Sequence, residues 1–345
     1  MKIVNFECGL GNQMTCYANY LLIKHSNPKD TIVKESLVYS INRSGLGINQ
    51  WNGFELEKLF GLSFTDVLDI VKSPDKLIHA MEEEYVINKG LNNSFSAYQA
   101  LKKCGINVNA AGKLIKGNRE ETLRSKINNQ IAKYIVSPSK SIIEYKVKKT
   151  IISFKRKTRK KGIVYSKTRL GDWYYPLNFD VMKDIEALKP IEEQIRNDFS
   201  FPELTEKRNI EVKKIVESGN SVSIHARRSD FLQYNGDCYK FGYFKKAVAY
   251  IKKHVNNPIF IIFSEDSKWC RENLSTLGLN EENDKIYFVD WNSGDSSFRD
   301  MQLMSMCKHN IITKSSFGWW ASYLNPNPDK IIISQVSEYY SKVYF

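Results

Sequence analysis

No two cysteines in this chain stand in CxxC spacing: the six lie at 8, 16, 104, 238, 270 and 307. Neither a zinc cluster nor a disulfide framework is indicated, and a reducing compartment fits. The five histidines are equally dispersed, without an HExxH pair, and Glu265-Asp266 is the nearest thing to paired carboxylates at a predicted strand exit. No metal is therefore expected. No apolar run approaches the roughly 20 residues that a membrane-spanning helix needs. The first apolar stretch is short and broken by Asn5, Glu7 and Asn12, so no signal peptide is read at Met1. Internal repeats and low-complexity tracts are absent as well. Positive charge, in contrast, is abundant: 51 Lys and Arg against 38 Asp and Glu give +13. That excess favours anionic partners, whether a phosphorylated small molecule, acidic lipid head groups or nucleic acid, and does not choose among them. At 345 residues and 42% hydrophobic composition, the chain is globular and long enough for two cores.

From Ser221 onward, short apolar runs alternate with amphipathic segments, the pattern of a parallel sheet covered by helices. Strands are predicted over 221–226, 258–263, 286–291, 310–313 and 330–334. Between the first two, 239–253 carries Phe244, Ala247, Val248, Tyr250 and Ile251 at helical spacing, which predicts a crossover helix. Phe298, Met301, Met304 and Cys307 recur in threes and predict another, packed in the core.

The predicted exits are His225-Ala226-Arg227-Arg228-Ser229-Asp230, Ser264-Glu265-Asp266-Ser267, Asp290-Trp291-Asn292-Ser293-Gly294, and a stretch from Thr313 to Trp320. Parallel strands end on one edge, and open α/β sheets bind ligands there. Arg227 and Arg228 offer planar donor forks that match phosphate oxygens; a surface salt bridge is the bland alternative for either. Ser315 and Ser316 open a helix whose free N–H groups and positive dipole end suit a phosphate, although capping alone would explain one serine. Glu265 and Asp266 can bond a ribose or purine edge, or Asp266 can cap the helix after it. Trp319 and Trp320 fit a core or a stacking platform, with the core favoured for at least one. Together the four exits read as a nucleotide cleft.

The first half is less legible. Met1–Phe6 reads as a strand, and Gly9-Leu10-Gly11-Asn12-Gln13 leads into a helix from Met14, a turn at which backbone can approach a ligand closely. A short helix is predicted near Phe54–Phe60, and 121–150 has a lysine-rich helical character. Then comes Lys155-Arg156-Lys157-Thr158-Arg159-Lys160-Lys161, the densest charge run, either a solvated segment or a peripheral contact with an acidic membrane surface. Gly171-Asp172-Trp173-Tyr174-Tyr175-Pro176 reads as an aromatic turn, and 180–199 as a helix interrupted at Pro190. A basic nucleic-acid-binding protein is the remote alternative: the charge concentrates in 145–161 with little aromatic interleaving and no recognised motif, so no nucleic-acid partner is expected.

Taken in order, Gly9-Leu10-Gly11-Asn12-Gln13-Met14, Phe54-Glu55-Leu56, His225-Ala226-Arg227-Arg228-Ser229-Asp230-Phe231, Phe263-Ser264-Glu265-Asp266, Asp300-Met301-Gln302-Leu303-Met304-Ser305-Met306-Cys307-Lys308-His309-Asn310-Ile311-Ile312 and Ser315-Ser316-Phe317-Gly318-Trp319-Trp320 resemble the α-1,2-fucosyltransferases of glycosyltransferase family eleven nearly end to end. The resemblance implies a GT-B fold, two Rossmann-like α/β domains facing a cleft, here divided as 1–200 on the acceptor side and 201–345 on the donor side. It further implies inverting, metal-independent transfer of fucose from GDP-fucose to the 2-hydroxyl of a terminal galactoside in a cell-surface, O-antigen-like precursor. The enzyme would be cytoplasmic, or peripheral at the inner membrane face if the acceptor is lipid-linked.

On this reading His225, Arg227, Arg228, Ser264, Glu265, Asp266, Ser315, Ser316 and Phe317 hold the donor. Gly9, Gly11, Asn12, Gln13, Asp172 and Trp173 line the acceptor side. Arg227 and Arg228 stabilise the leaving diphosphate, and Asp230 is the first candidate for the general base, with Glu7 and Asp172 behind it. Another nucleotide-sugar donor, such as GDP-mannose, is the alternative. The chain departs from the family's usual residues at Cys8 and Ser229, where glycine is common, at Thr15-Cys16, Glu265 and Lys314, and at Gly318, where serine is common. The residue types suited to phosphate are kept.

Overall fold

The computed structural model describes residues 1–41, 52–88, 93–112, 114, 130–131, 133–135, 137–158, 167–337 and 339–345. Contacts divide the chain into two units: Met1–Arg119 with Lys161–Pro202, and Glu120–Lys160 with Glu203–Phe345. The chain thus passes between the units three times, where a division into 1–200 and 201–345 has one boundary. The helix Ile142–Thr158 belongs to the intervening excursion. Its inner face is pinned to the second unit: Tyr145 stacks on Phe241 with ring centroids 4.8 Å apart, and the Arg156 guanidinium lies 3.7 Å from the Tyr344 ring centroid. Just before the helix, Ser139 donates from its backbone N–H and its hydroxyl to the Asp237 carboxylate, at 2.8 and 2.5 Å.

The first unit is built on a parallel sheet of β1 (Lys2–Asn5), β2 (Ile32–Glu35), β3 (Asn109–Ala110) and β4 (Trp173–Tyr175), in the spatial order β2-β1-β4-β3. In register, Lys2 lies beside Ile32 on one side and Trp173 on the other. After β1 the chain turns through Cys8, at φ 68°, into the helix Leu10–Ser26, which is buried along most of its length. The aromatic segment at 173–175 is thus an interior strand and not a turn. Its Tyr174 and Tyr175 are fully buried between β1 and β3, and a three-residue strand flanked by Gly-Asp and Pro leaves no alternation to read. The 180–199 segment is helical in pieces, Asp180–Lys183, a 3-10 stretch Ile185–Ile191 containing Pro190, and Glu192–Asp198. Proline removes the hydrogen bond that a continuous helix would need there.

The second unit carries six parallel strands: β5 (Asn220–His225), β6 (Pro258–Phe263), β7 (Lys285–Val289), β8 (His309–Ile312), β9 (Ile332–Ser334) and β10 (Val343–Tyr344), in the order β10-β9-β8-β5-β6-β7. β6 is apolar, β5 alternates Val222 and Ile224 with small polar residues, and both are buried along nearly their whole length and paired over six residues, as expected of strands covered on both faces. The crossover helix is Tyr243–His254, whose Tyr243, Phe244, Ala247, Val248 and Ile251 enter the core. It begins four residues later than the spacing predicts because Gly242 takes the left-handed conformation at φ 73° and separates it from the short turn of helix Asp237–Lys240. β5 lies between β8 and β6, so the three chain segments that leave these strands are neighbours on one edge.

Candidate active site

Arg228 is the centre of this edge. Its guanidinium lies flat over Trp269, 3.5 Å from the ring centroid, with Tyr239 at 4.9 Å. Its Nε donates to Asp266 Oδ2 at 2.9 Å, and its backbone N–H donates to Glu265 Oε1 at 2.5 Å. Arg228 is buried, and these contacts hold its fork in one orientation. The charge pairing works both ways: hydrogen bonding to Arg228 holds the Asp266 carboxyl below its ordinary range. Asp266 also caps the helix Ser267–Glu272 by accepting from the Trp269 N–H at 3.2 Å, and Ser264 Oγ donates to the Ala226 carbonyl at 2.7 Å. The exit of β6 therefore braces the exit of β5. In this geometry Ser264, Glu265 and Asp266 bond the arginine loop itself, and the capping alternative for Asp266 holds.

Arg227 is more exposed. Its Nε is 3.8 Å from Glu265 Oε1, and its carbonyl accepts from the Tyr239 hydroxyl at 2.7 Å. Ser229 has φ 37° and opens a 3-10 turn, Ser229–Phe231. Asp230 is in that turn, but its side chain lies outside the described residues. The first-choice base is thus located by its backbone alone, two residues beyond Arg228.

The exit of β8 leads into the helix Ser316–Leu324, with Ser315 at the cap position and no side-chain capping bond. This N-terminus rests on β5. A Cβ on Gly318 would come within 2.6 Å of His225 Nδ1, and the rings of His225 and Phe317 are 5.7 Å apart. Glycine at 318 is what permits the close approach. His225 is buried, with Nδ1 unpaired; burial, reinforced by the Arg227 charge, drives its pKa down to about 3, so the ring is neutral. Trp319 and Trp320 are both buried and serve as core, not as a stacking platform. The structure accordingly gathers His225, Arg227, Arg228, Ser264, Glu265, Asp266, Ser315, Ser316 and Phe317 on three adjacent exits. The helix Phe298–Met306 adds a residue that sequence reading did not select as a site: the Asp300 carboxyl, accepting from Asn292 Nδ2 beyond β7 at 2.8 Å, is pushed up to about 7, chiefly by desolvation. Its place in the Asp300–Ile312 motif was the available signal.

In the first unit the expected cleft residues separate. Gly9 and Asn12 stand at the exit of β1, the ligand edge of that sheet. Gln13 is fully buried and locks the turn, donating from Nε2 to the carbonyls of Cys8 (2.9 Å) and Gly53 (2.8 Å) and accepting from the Glu55 N–H at 2.8 Å. Gly11 is buried too, its carbonyl accepting from Thr15 Oγ1. Asp172 and Trp173 sit where β4 begins, beside Met1 and Lys2, with Asp172 Oδ1 accepting from the terminal ammonium at 2.6 Å. They occupy the edge opposite Gly9, so these two do not line one cleft with it, and Asp172 is removed as a base candidate. Glu7, the remaining alternative base, lies at the β1 exit within a buried network that the sequence did not reveal. Glu35 there accepts from Asn5 (2.8 Å) and from the Tyr174 hydroxyl (2.9 Å), and Ser94 donates to Asn5 at 3.0 Å. Desolvation raises both the Glu7 and Glu35 carboxyls to about 7.

Two parallel α/β sheets, with an arginine pair and a serine-led helix end on adjacent strand exits of one of them, fit a glycosyltransferase. Residues 70–342 match Glycosyl transferase family 11, and the chain belongs to that family. The O-antigen biosynthesis glycosyltransferase WbnK of Escherichia coli is 37% identical over 128 residues, 35% of this chain and 40% of that protein. An alpha-1,2-colitosyltransferase of the same organism is 33% identical over 120 residues, 33% of this chain and 39% of the relative. Galactoside alpha-(1,2)-fucosyltransferase 1 of Bos taurus is 30% identical over 146 residues, 39% of each. The chain thus spans about two fifths of the length of each of these curated relatives. Among solved structures, fucosyltransferase NodZ from Bradyrhizobium aligns over 94% of this chain and 92% of its own, at 12% identity and a TM-score of 0.45.

Proposed function

We propose that this protein transfers fucose from GDP-fucose to the 2-hydroxyl of a terminal galactoside in a cell-surface glycan precursor, by inverting displacement and without a metal ion. The observation that carries this reading is the Arg228 fork, held by Asp266 and Trp269, on the strand exit next to the helix end led by Ser315 and Ser316. Arginine and helix N–H groups supply the charge stabilisation that a departing diphosphate needs. In the step itself, the acceptor oxygen forms a bond to the anomeric carbon while the bond from that carbon to the diphosphate oxygen breaks. The electron pair leaves with GDP, and the acceptor's proton passes to the Asp230 carboxylate. Gly9 and Asn12, at the β1 exit of the first unit, are assigned to the acceptor side. The GT-B arrangement implied by the family supports dividing donor and acceptor between the two units.

Similarity to relatives named for α-1,2-fucosyl transfer and O-antigen synthesis supports the sugar and linkage. The colitosyltransferase relative favours a second reading, the same chemistry with a colitosyl donor, and GDP-mannose remains the donor alternative suggested by the sequence. Incubating the protein with GDP-fucose, GDP-mannose, a colitosyl nucleotide and UDP-galactose, with and without β-galactoside acceptors, tests this directly. Release of GDP from GDP-fucose, stimulated by a galactoside, is expected. Turnover confined to another donor would replace the fucosyl assignment, and no turnover of any of them would remove the proposal.

A further inference from the structure

Of the ten large hydrophobic side chains that stand exposed among the described residues, four lie on the one helix Ile142–Thr158: Ile142 at 47%, Ile143 at 72%, Val147 at 45% and Phe154 at 66%. Ile143, Val147 and Phe154 follow the i, i+4, i+11 spacing that puts side chains on one helix face. The opposite face, Tyr145, Lys148 and Ile152, is buried against the second unit. The helix is thus anchored along one side and presents an apolar stripe on the other. Its charge is one-sided as well: Lys146, Lys148, Lys149, Lys155, Arg156 and Lys157 against Glu144 alone. That single carboxylate is already engaged, by the Lys148 ammonium at 2.9 Å and the Lys140 N–H at 2.9 Å. Lys146 and Lys157 border the stripe on one side and Lys155 on the other.

From this geometry we propose that the Ile142–Thr158 helix is a membrane-docking element that lies flat in the interface of a bilayer containing anionic lipid. Ile143, Val147 and Phe154 enter the acyl boundary, and the bordering lysines meet the head groups. An apolar stripe flanked by cations is the pattern of an interfacial helix, and the charge complementarity selects an anionic lipid surface over a second copy of this equally basic chain. The sequence places the basic run at 155–161; the structure gives it an apolar partner at 143–154, while residues 159–161 lie outside the described set. No helix among the described residues is long and apolar enough to cross a membrane, so docking of this kind is lateral.

Co-sedimentation of the full chain with vesicles of phosphatidylcholine, and of phosphatidylcholine with about 30% phosphatidylglycerol, tests the proposal. Binding to the anionic vesicles, little to the neutral ones, and loss of binding at high salt are expected. The pair Ile143→Ser with Phe154→Ser, and the pair Lys155→Glu with Lys157→Glu, should each weaken partitioning by about tenfold or more. These side chains do not form the buried face, so both variants should keep the parent's melting curve and its turnover of soluble donor. Equal sedimentation of parent and both variants would overturn the proposal, as would no binding to anionic vesicles. A dimeric mass in light scattering that the serine pair converts to a monomer would instead assign the stripe to a second copy.

Discussion

Arg228 shows why residue type matters more than charge at this site. Its guanidinium is used on two sides at once: Nε to Asp266 and the flat face on Trp269. Lysine keeps the charge and loses the bidentate fork and the stacking. Arg228→Lys is therefore expected to lower turnover by at least about tenfold, since an electrostatic donor of this kind is worth on the order of 2.7–4 kcal/mol in the barrier; steady-state kinetics with a fixed acceptor reads it. Asp230→Asn should abolish the limb of the pH–rate profile that reports the base and slow transfer by about 100-fold or more, with GDP affinity retained in calorimetry. Unchanged rate and profile would return the base role to Glu7. His225 makes a separate prediction about stability. Its folded pKa, about 3, lies below the ordinary 6.5, so below pH 6.5 the unfolded chain binds a proton that the folded chain refuses. Stability is lost as the pH falls from 6.5 toward 3, and between pH 7 and pH 5 this one group accounts for about 2 kcal/mol. Denaturant midpoints of the parent and of His225→Asn at the two pH values should show a smaller acid loss in the variant.

At the scale of elements, three residues other than glycine carry left-handed backbone among the described residues: Cys8 after β1, at φ 68°, Ser229 after β5, at φ 37°, and Asn257 before β6, at φ 46°. Cys8 and Ser229 stand where the resemblance leads one to expect glycine, the residue that takes this conformation without strain. Cys8→Gly and Ser229→Gly should each raise stability by about 1 kcal/mol, because a side chain disfavours that conformation by about that much, as measured by chemical denaturation. Gly318 is the converse. Its Cβ would meet the His225 ring at 2.6 Å, so Gly318→Ala should push the Ser316–Leu324 helix off β5 and destabilise the fold by about 1–3 kcal/mol. Elements built on long apolar repeats were legible in the sequence: β6 spans the predicted 258–263, and the helix after β8 begins where Ser315 and Ser316 place it. Strands of two to four residues carry too few side chains for a period to emerge: β2, β3 and β10 went unseen and β4 passed for a turn, whereas β1, β8 and β9, equally short, were read from their unbroken apolar runs.

At the scale of the whole molecule, the nucleotide-binding reading belongs to one unit. Hydrogen exchange with GDP should slow the amides at 225–231 and 313–320, in the second unit, and leave those of β1 and β4 unchanged. GDP at 100 times its Kd should add about 2.7 kcal/mol of stability. Protection appearing first at the β1 turn would contradict the assignment of donor to unit.

Patterns local in the chain were settled by sequence alone: the excess of positive charge, the alternation of strand and helix in the second half, and arginines and serines at strand exits. Each of these is written in consecutive or regularly spaced side chains. What only tertiary structure decided is whatever depends on partners far apart in the chain. Gln13 became a lock through Cys8, Gly53 and Glu55; Glu7 and Glu35 became a buried pair; Asp172 moved to the far edge of its sheet because β4 runs parallel to β1. The basic helix gained an outward apolar face only once packing fixed which side is buried. A side chain's role depends on its neighbours in space, and burial and strand register choose those neighbours.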